Sequence, residues 1–310
     1  MGCVGNTSAG RQHTSFCFHA TARLALAIYV LLIPLSLCAQ QPTPEDLRKL
    51  ARNPFADVIK LPISPDIYFD AGPNHRTAAD LQMMPLIPIH RFSGWILIPR
   101  IVPTVVTYVP DLTRATGGRV GVGDTVATFF FTPANVDRLV WAVGPAWLIP
   151  TATGSPFGAG RWGLGPSFAM LYQPEWGSGG FLVQNLWSLP ASTNRGPVHQ
   201  MQLQPMFSYN LPRQWYLTTN PTISADWTQV TSYRWLVPIG GGVGRTFKVG
   251  RQPLDINLTI YDNVVRPANQ LSPKWQLTLQ ITFLFARHPK PTRSSGVANH
   301  SPPGSESSSS

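Results

Sequence analysis

Residues 275–285, WQLTLQITFLF, alternate apolar and polar positions. Trp275, Leu277, Leu279, Ile281, Phe283 and Phe285 fall on one side of an extended chain, and Gln276, Thr278, Gln280 and Thr282 fall on the other. The same period of two runs through QWYLTTNPTISADWTQ, where Trp215, Leu217, Ile223 and Trp227 oppose Tyr216, Thr218, Asn220 and Asp226. It recurs at Leu254, Ile256, Leu258 and Ile260 against Asp255, Asn257, Thr259 and Tyr261, and at Met201, Leu203, Pro205 and Phe207 against Gln200, Gln202 and Gln204. The pattern predicts about twelve strands, over 57–71, 77–90, 94–109, 120–132, 137–152, 160–173, 179–190, 197–211, 214–228, 233–249, 252–265 and 274–285.

Strands of this length exceed the ~5–6 residues usual in soluble sheets. Twelve residues at ~3.4 Å each, tilted by about 40°, climb roughly 30 Å, enough for a lipid-facing band of ~25 Å and its aromatic girdles. Trp215, Trp227, Trp275 and Phe285 bracket apolar faces and are read as girdle residues. The connections alternate, with short ones such as HRFSG, PANVD, LPRQ and VGRQ between longer ones such as DLTRATGGR and LPASTNRGP. Together these features predict an all-β fold, a transmembrane antiparallel β-barrel with both termini on one side of a bacterial outer membrane. Prolines inside the strands, including Pro85, Pro99, Pro145, Pro205, Pro221 and Pro238, are expected at bulges or gaps in the ladder, because each removes a donor.

Residues 1–39 read as a signal peptide: Arg11 and Arg23, no acid, then LALAIYVLLIPLSLCA with a cut near Ala39. The LSLC stretch falls short of a lipoprotein acylation box because Leu37 stands where Gly, Ala or Ser is wanted. Residues 40–56 read as a periplasmic lead-in with one helical turn, 57–285 as the barrel, and 286–310 as a disordered tail. All three cysteines, Cys3, Cys17 and Cys38, lie in the presequence, so neither a disulfide framework nor a cysteine metal site is expected beyond it. The formal charge of +10 falls to +8 once Arg11 and Arg23 are removed, and the remaining basic residues are scattered singly. That excludes a nucleic-acid stripe. The expected partners are the lipid bilayer, the outer-membrane assembly machinery and a small-molecule solute, with the chain a monomer and no cofactor or metal.

Strand parity turns Arg100, Arg161, Arg234 and Lys248, with Asp66, Asp80, Asp124, Asp226 and Asp255, toward the lumen, where opposed charges either set selectivity or pair across the barrel. No catalytic residues are assigned. A barrel hydrolase would need His199, with Ser192 in the neighbouring loop, and a loop histidine is far more often simply solvated. The glycines of GGRVGVGD and IGGGVGRTF sit in strand patterns rather than ahead of a helix, so a nucleotide loop is not supported.

The segments GVGDTVATFFFTP (121–133), GPAWLIPTATGSPFGAGRWGLGPS (144–167), NLWS (185–188), LQPMFSYN (203–210), DWTQV (226–230) and PIGGGVGRTFKVGRQPL (238–254) occur in an order that resembles a bacterial family. These are the "MetA-pathway of phenol degradation" outer-membrane proteins, often labelled transporters and sometimes neuromedin U. The likeness covers roughly residues 47–285. It implies a channel or facilitator for passive uptake of small, hydrophobic or aromatic molecules. A non-conducting structural or binding barrel of the envelope is the alternative. The family ends its barrels at the terminal aromatic residue, whereas this chain runs on past Phe285.

Overall fold

Alternating side chains make each strand a two-faced ribbon, and such ribbons bury their backbone donors by pairing edge to edge until the ring closes. A computed structural model describes residues 49–285, except 57, 136–137, 191–194 and 268–271. Those residues belong to one compact unit, Pro42–Ser310. The strands are β1 (Ile59–Ala71), β2 (Arg76–Met83), β3 (Ile89–Phe92), β4 (Trp95–Val102), β5 (Thr104–Pro110), β6 (Gly118–Gly121), β7 (Thr125–Pro133) and β8 (Leu139–Ile149). They continue as β9 (Gly163–Tyr172), β10 (Gly177–Ser188), β11 (His199–Asn210), β12 (Trp215–Thr219), β13 (Ile223–Asp226), β14 (Trp235–Val249), β15 (Gln252–Val265) and β16 (Trp275–Phe285).

All register pairs are antiparallel, and four of the sixteen strands merely resume the one before them after a short break: β3 after β2, β5 after β4, β7 after β6, and β13 after β12. The wall therefore has twelve spans, in agreement with the alternation read from the sequence. The first and last spans pair from Ile59↔Phe285 to Phe69↔Trp275. Leu86, between β2 and β3, bridges Lys60 and Arg100 and carries the ladder across its break. The protein is an antiparallel β-barrel whose connections are short at one end and mostly longer at the other, where the turn at 72–75 is the short exception. Two of the short turns, Ser93–Gly94 and Gly250–Arg251, need glycine at φ +76 and +59, where other residues are strained.

Prolines collect where the ladder is interrupted. Pro85 and Pro88 lie in the break at 84–88, Pro103 separates β4 from β5, Pro221 lies between β12 and β13, and the register shifts between Val237 and Pro238. Pro205 sits inside β11, but opposite the β12/β13 break, since β11 pairs with β12 only from Phe207 and with β13 only to Leu203. A missing N–H thus falls where no partner strand needs it.

The exterior is apolar through its middle: Leu217, Ile239, Val243, Leu258 and Ile260 are exposed. Among the described residues no helix is long and apolar enough to cross a membrane. Aromatic rings band both ends. At the short-turn end lie Phe92, Trp95, Tyr172, Trp176, Tyr209, Trp215 and Phe285; at the long-loop end lie Phe69, Trp187, Trp227, Trp235 and Trp275. Trp227 packs edge-on against Trp235 at 5.7 Å, and cations cover three of the indoles: Arg245 at 5.4 Å from Trp215, Arg234 at 5.4 Å from Trp227 and Lys274 at 6.0 Å from Trp275. The four residues read as girdle, Trp215, Trp227, Trp275 and Phe285, lie in these bands.

Candidate functional site: the barrel interior

The inner face changes character along the barrel axis. Toward the long loops it encloses a cavity of about 480 Å³ whose wall is made mainly of amides and hydroxyls: Ser64, Gln82, Gln184, Gln200, Gln202, Gln204, Thr218, Asn220, Ser224, Asn257, Thr259, Gln276, Thr278 and Gln280. Alternation places all but Asn220 there, since each of the others is an inward residue of a strand whose neighbours face out, and Asn220 lies in the break between β12 and β13. Many are tied to one another. Gln184 donates Nε2 to Gln202 Oε1 at 2.7 Å and accepts from Thr128 at 3.3 Å; Gln276 and Gln280 donate to Thr278 and Thr282 at 3.2 and 3.1 Å. Such groups offer both donors and acceptors at no fixed charge.

Charge is sparse on this wall. Asp66, Arg100 and Asp124 line the cavity. Asp80 stands directly across from Asp66 in the β1/β2 register, receives a 3.3 Å hydrogen bond from the Tyr68 hydroxyl, and shares that corner with Thr278, which donates to Asp66. Asp124 does more than face the lumen: its carboxylate accepts the N–H groups of Ala152 at 3.1 Å and Gly160 at 3.0 Å, fastening the 150–162 loop to the wall. Asp255 is buried in the wall, accepting the Tyr216 and Thr246 hydroxyls at 2.6 Å each. Its inward position is structural.

The other charges read by parity fall elsewhere. Arg234 ends a helical turn, Thr231–Arg234, so the two-residue alternation does not reach it; its guanidinium donates to the Gln229 carbonyl at 3.3 and 3.1 Å and covers Trp227. Asp226 is the last residue of β13 and caps the following turn, accepting from Thr228 N at 3.0 Å and Oγ1 at 2.6 Å. Arg161 precedes β9 and donates to the carbonyl of Arg195, joining two long loops. Lys248 lies near the short-turn end of β14, away from the cavity. His199 is packed between Trp187, at 5.3 Å, and Trp227, at 6.2 Å, as part of the aromatic band; Ser192 lies outside the described residues.

Toward the short turns the interior is filled. Phe55, Leu86, Ile96, Ile98, Phe130, Val140, Ala142, Ala169 and Leu182 form a buried cluster, with Met84 and Met206 against it. Phe55 meets Phe130 edge-on, centroids 5.4 Å apart, a contact of the kind that contributes ~0.5–1.5 kcal/mol beyond the area it buries. Phe55 belongs to the segment read as a lead-in. After a helical stretch at Lys49–Arg52, that segment enters the barrel end, where Arg52 forms part of the cavity floor. Alternation did not reveal this seal. A signal exists in hindsight: GWILIP, TFFF and VWAV are apolar on both faces, and their inward members Ile96, Ile98, Phe130 and Val140 are the ones that cover Phe55 and Leu86.

Arg100→Ala is expected to lower the anion preference of any current through the barrel, measured as reversal potential in a salt gradient, because it deletes a cation from the cavity wall. Arg234→Ala should leave that potential unchanged, since its guanidinium lies on Trp227.

This architecture, a closed antiparallel barrel with a polar chamber and a filled end, is that of an outer-membrane β-barrel fold. It is similar to an outer membrane channel from Pseudomonas putida F1, at TM-score 0.54 and 13% identity over 74% of this chain and 97% of that one. Fainter likenesses extend to a bacterial polysaccharide outer membrane secretin, at TM-score 0.35, 12% identity, 75% and 99% coverage, and to the Pseudomonas putida toluene transporter TodX, at TM-score 0.34, 10% identity, 78% and 90% coverage. No family model matches the sequence, and no curated protein matches it. The agreement with the first structure is one of fold.

Proposed function

We propose that the protein is an outer-membrane channel for passive entry of small, uncharged, hydrogen-bonding solutes. The observation that carries this reading is the chamber of about 480 Å³ lined by glutamines, asparagines and hydroxyls with few charges. A solute shedding its water there regains both donors and acceptors, whereas an ion finds little fixed charge to replace its hydration. The resemblance to the phenol-degradation family points to hydrophobic or aromatic compounds, and hydroxylated aromatics satisfy both criteria. The apolar exterior between two aromatic bands supports insertion in the outer membrane, with the short turns toward the periplasm.

The filled short-turn half favours a second reading, a barrel that binds or braces without conducting. Liposome swelling separates the two. Purified protein is expected to admit pentoses and dihydroxybenzenes faster than carboxylates of matched size, and exclusion of every small solute would establish the non-conducting barrel.

A further inference from the structure

The segment that seals the barrel is fastened unlike the wall around it. Its backbone bonds are internal, Asn53 N–H to Lys49 O at 3.2 Å and Ala56 N–H to Asn53 O at 3.1 Å, and neither joins the sheet ladder. The fastenings to the wall come from side chains. Arg52 donates Nη1 to Ser208 Oγ at 3.0 Å and Nη2 to Asn210 Oδ1, with its guanidinium 4.8 Å from the Tyr216 ring centroid. From the other side, Lys60 of β1 points its ammonium at the end of the helical stretch and donates to the carbonyls of Leu50, Ala51 and Asn53. A cation at a helix C-terminus satisfies carbonyls that the helix leaves open.

We propose that residues 49–56 are a releasable gate, latched by Arg52 and Lys60, whose withdrawal joins the chamber to the short-turn side. The segment sits on the only side of the described chamber where a chain element other than the wall, through Arg52, forms its lining. Both latches are polar, so each of their groups regains hydrogen bonds from water when the segment leaves. The ring of strands stays paired, since it does not depend on the segment's backbone. Phe55 is the apolar ballast that returns the gate to its closed state.

The proposal rests on the channel reading, and its test keeps the two apart. Full-length protein is reconstituted in planar bilayers as the parent, as Arg52→Met, and as the wall-side double variant Ser208→Ala/Asn210→Ala, which loosens the same latch without altering charge or the segment itself. The parent is expected to dwell closed with brief openings, and both variants to raise the open probability roughly tenfold to a hundredfold, the scale of hydrogen bonds to a charged donor. Parent-like gating in both, with folding verified by heat-modifiable migration on detergent gels, would overturn the gate and leave the channel standing. Absence of current in all three would overturn both.

Discussion

Leu258→Arg should unfold or fail to insert, while Asn257→Arg, one residue away, should insert as the parent does. Leu258 lies mid-way along β15, paired with Val243 and Leu279 and 47% exposed on the outer face; Asn257 lines the chamber. An arginine on the lipid face near the bilayer centre costs about 2–4 kcal/mol, falling toward ~0–1 kcal/mol at the interfaces. An arginine on the chamber face meets water and amides. Urea titration in lipid vesicles, read by tryptophan fluorescence, measures the difference, and equal stability of the two variants would mean that the exterior does not face lipid.

Gly165→Val is expected to abolish assembly. A side chain at Gly165 would start on top of the Asn185 carbonyl, and one at Gly144 on that of Phe129, so in both cases the obstacle is a neighbouring strand's backbone. These glycines flank the point where Pro145 and Pro166 face each other in the β8/β9 register. Overpacking against movable side chains costs typically ~1–3 kcal/mol, and backbone that cannot step aside raises the penalty further. Gly196→Ala, whose added carbon would meet nothing within 4 Å, is the matched control. The yield of heat-modifiable protein is the readout, and normal assembly of Gly165→Val would show that the strands there can part.

How much of this was legible in the sequence depended on the range of the interaction. The span 252–265 coincides with β15, and 274–285 differs from β16 by one residue, because alternation is local and one face of each strand meets a uniform surroundings. The breaks were visible only as awkward prolines: that Pro205 lies opposite the β12/β13 break is a fact about strands paired across the sheet. Parity placed Asp66, Arg100 and Asp124 at the chamber but failed for Asp226, the last residue of β13, and for Arg161 and Arg234, just outside strands, where turns and a helical residue reset the direction of the side chain. Arg52 and Lys60 had no pattern at all. Arg52 finds its partner Ser208 156 residues away, brought near only by the fold, and Lys60 reaches back 10 residues to the Leu50 carbonyl, a contact that strand alternation does not describe.

The pairing of the first and last strands has a further consequence. Leu284, opposite Lys60 in that seam, also packs against Ala56 and Val58, with Leu50 and Ala51 beside them. The seat for the N-terminal segment is therefore built in part by β16, far along the chain from it. A molecule whose first and last spans have not paired lacks the Leu284 side of that seat. The complete seat therefore exists only in the closed ring, so the packing of the N-terminal segment and the pairing of the first and last spans reinforce each other.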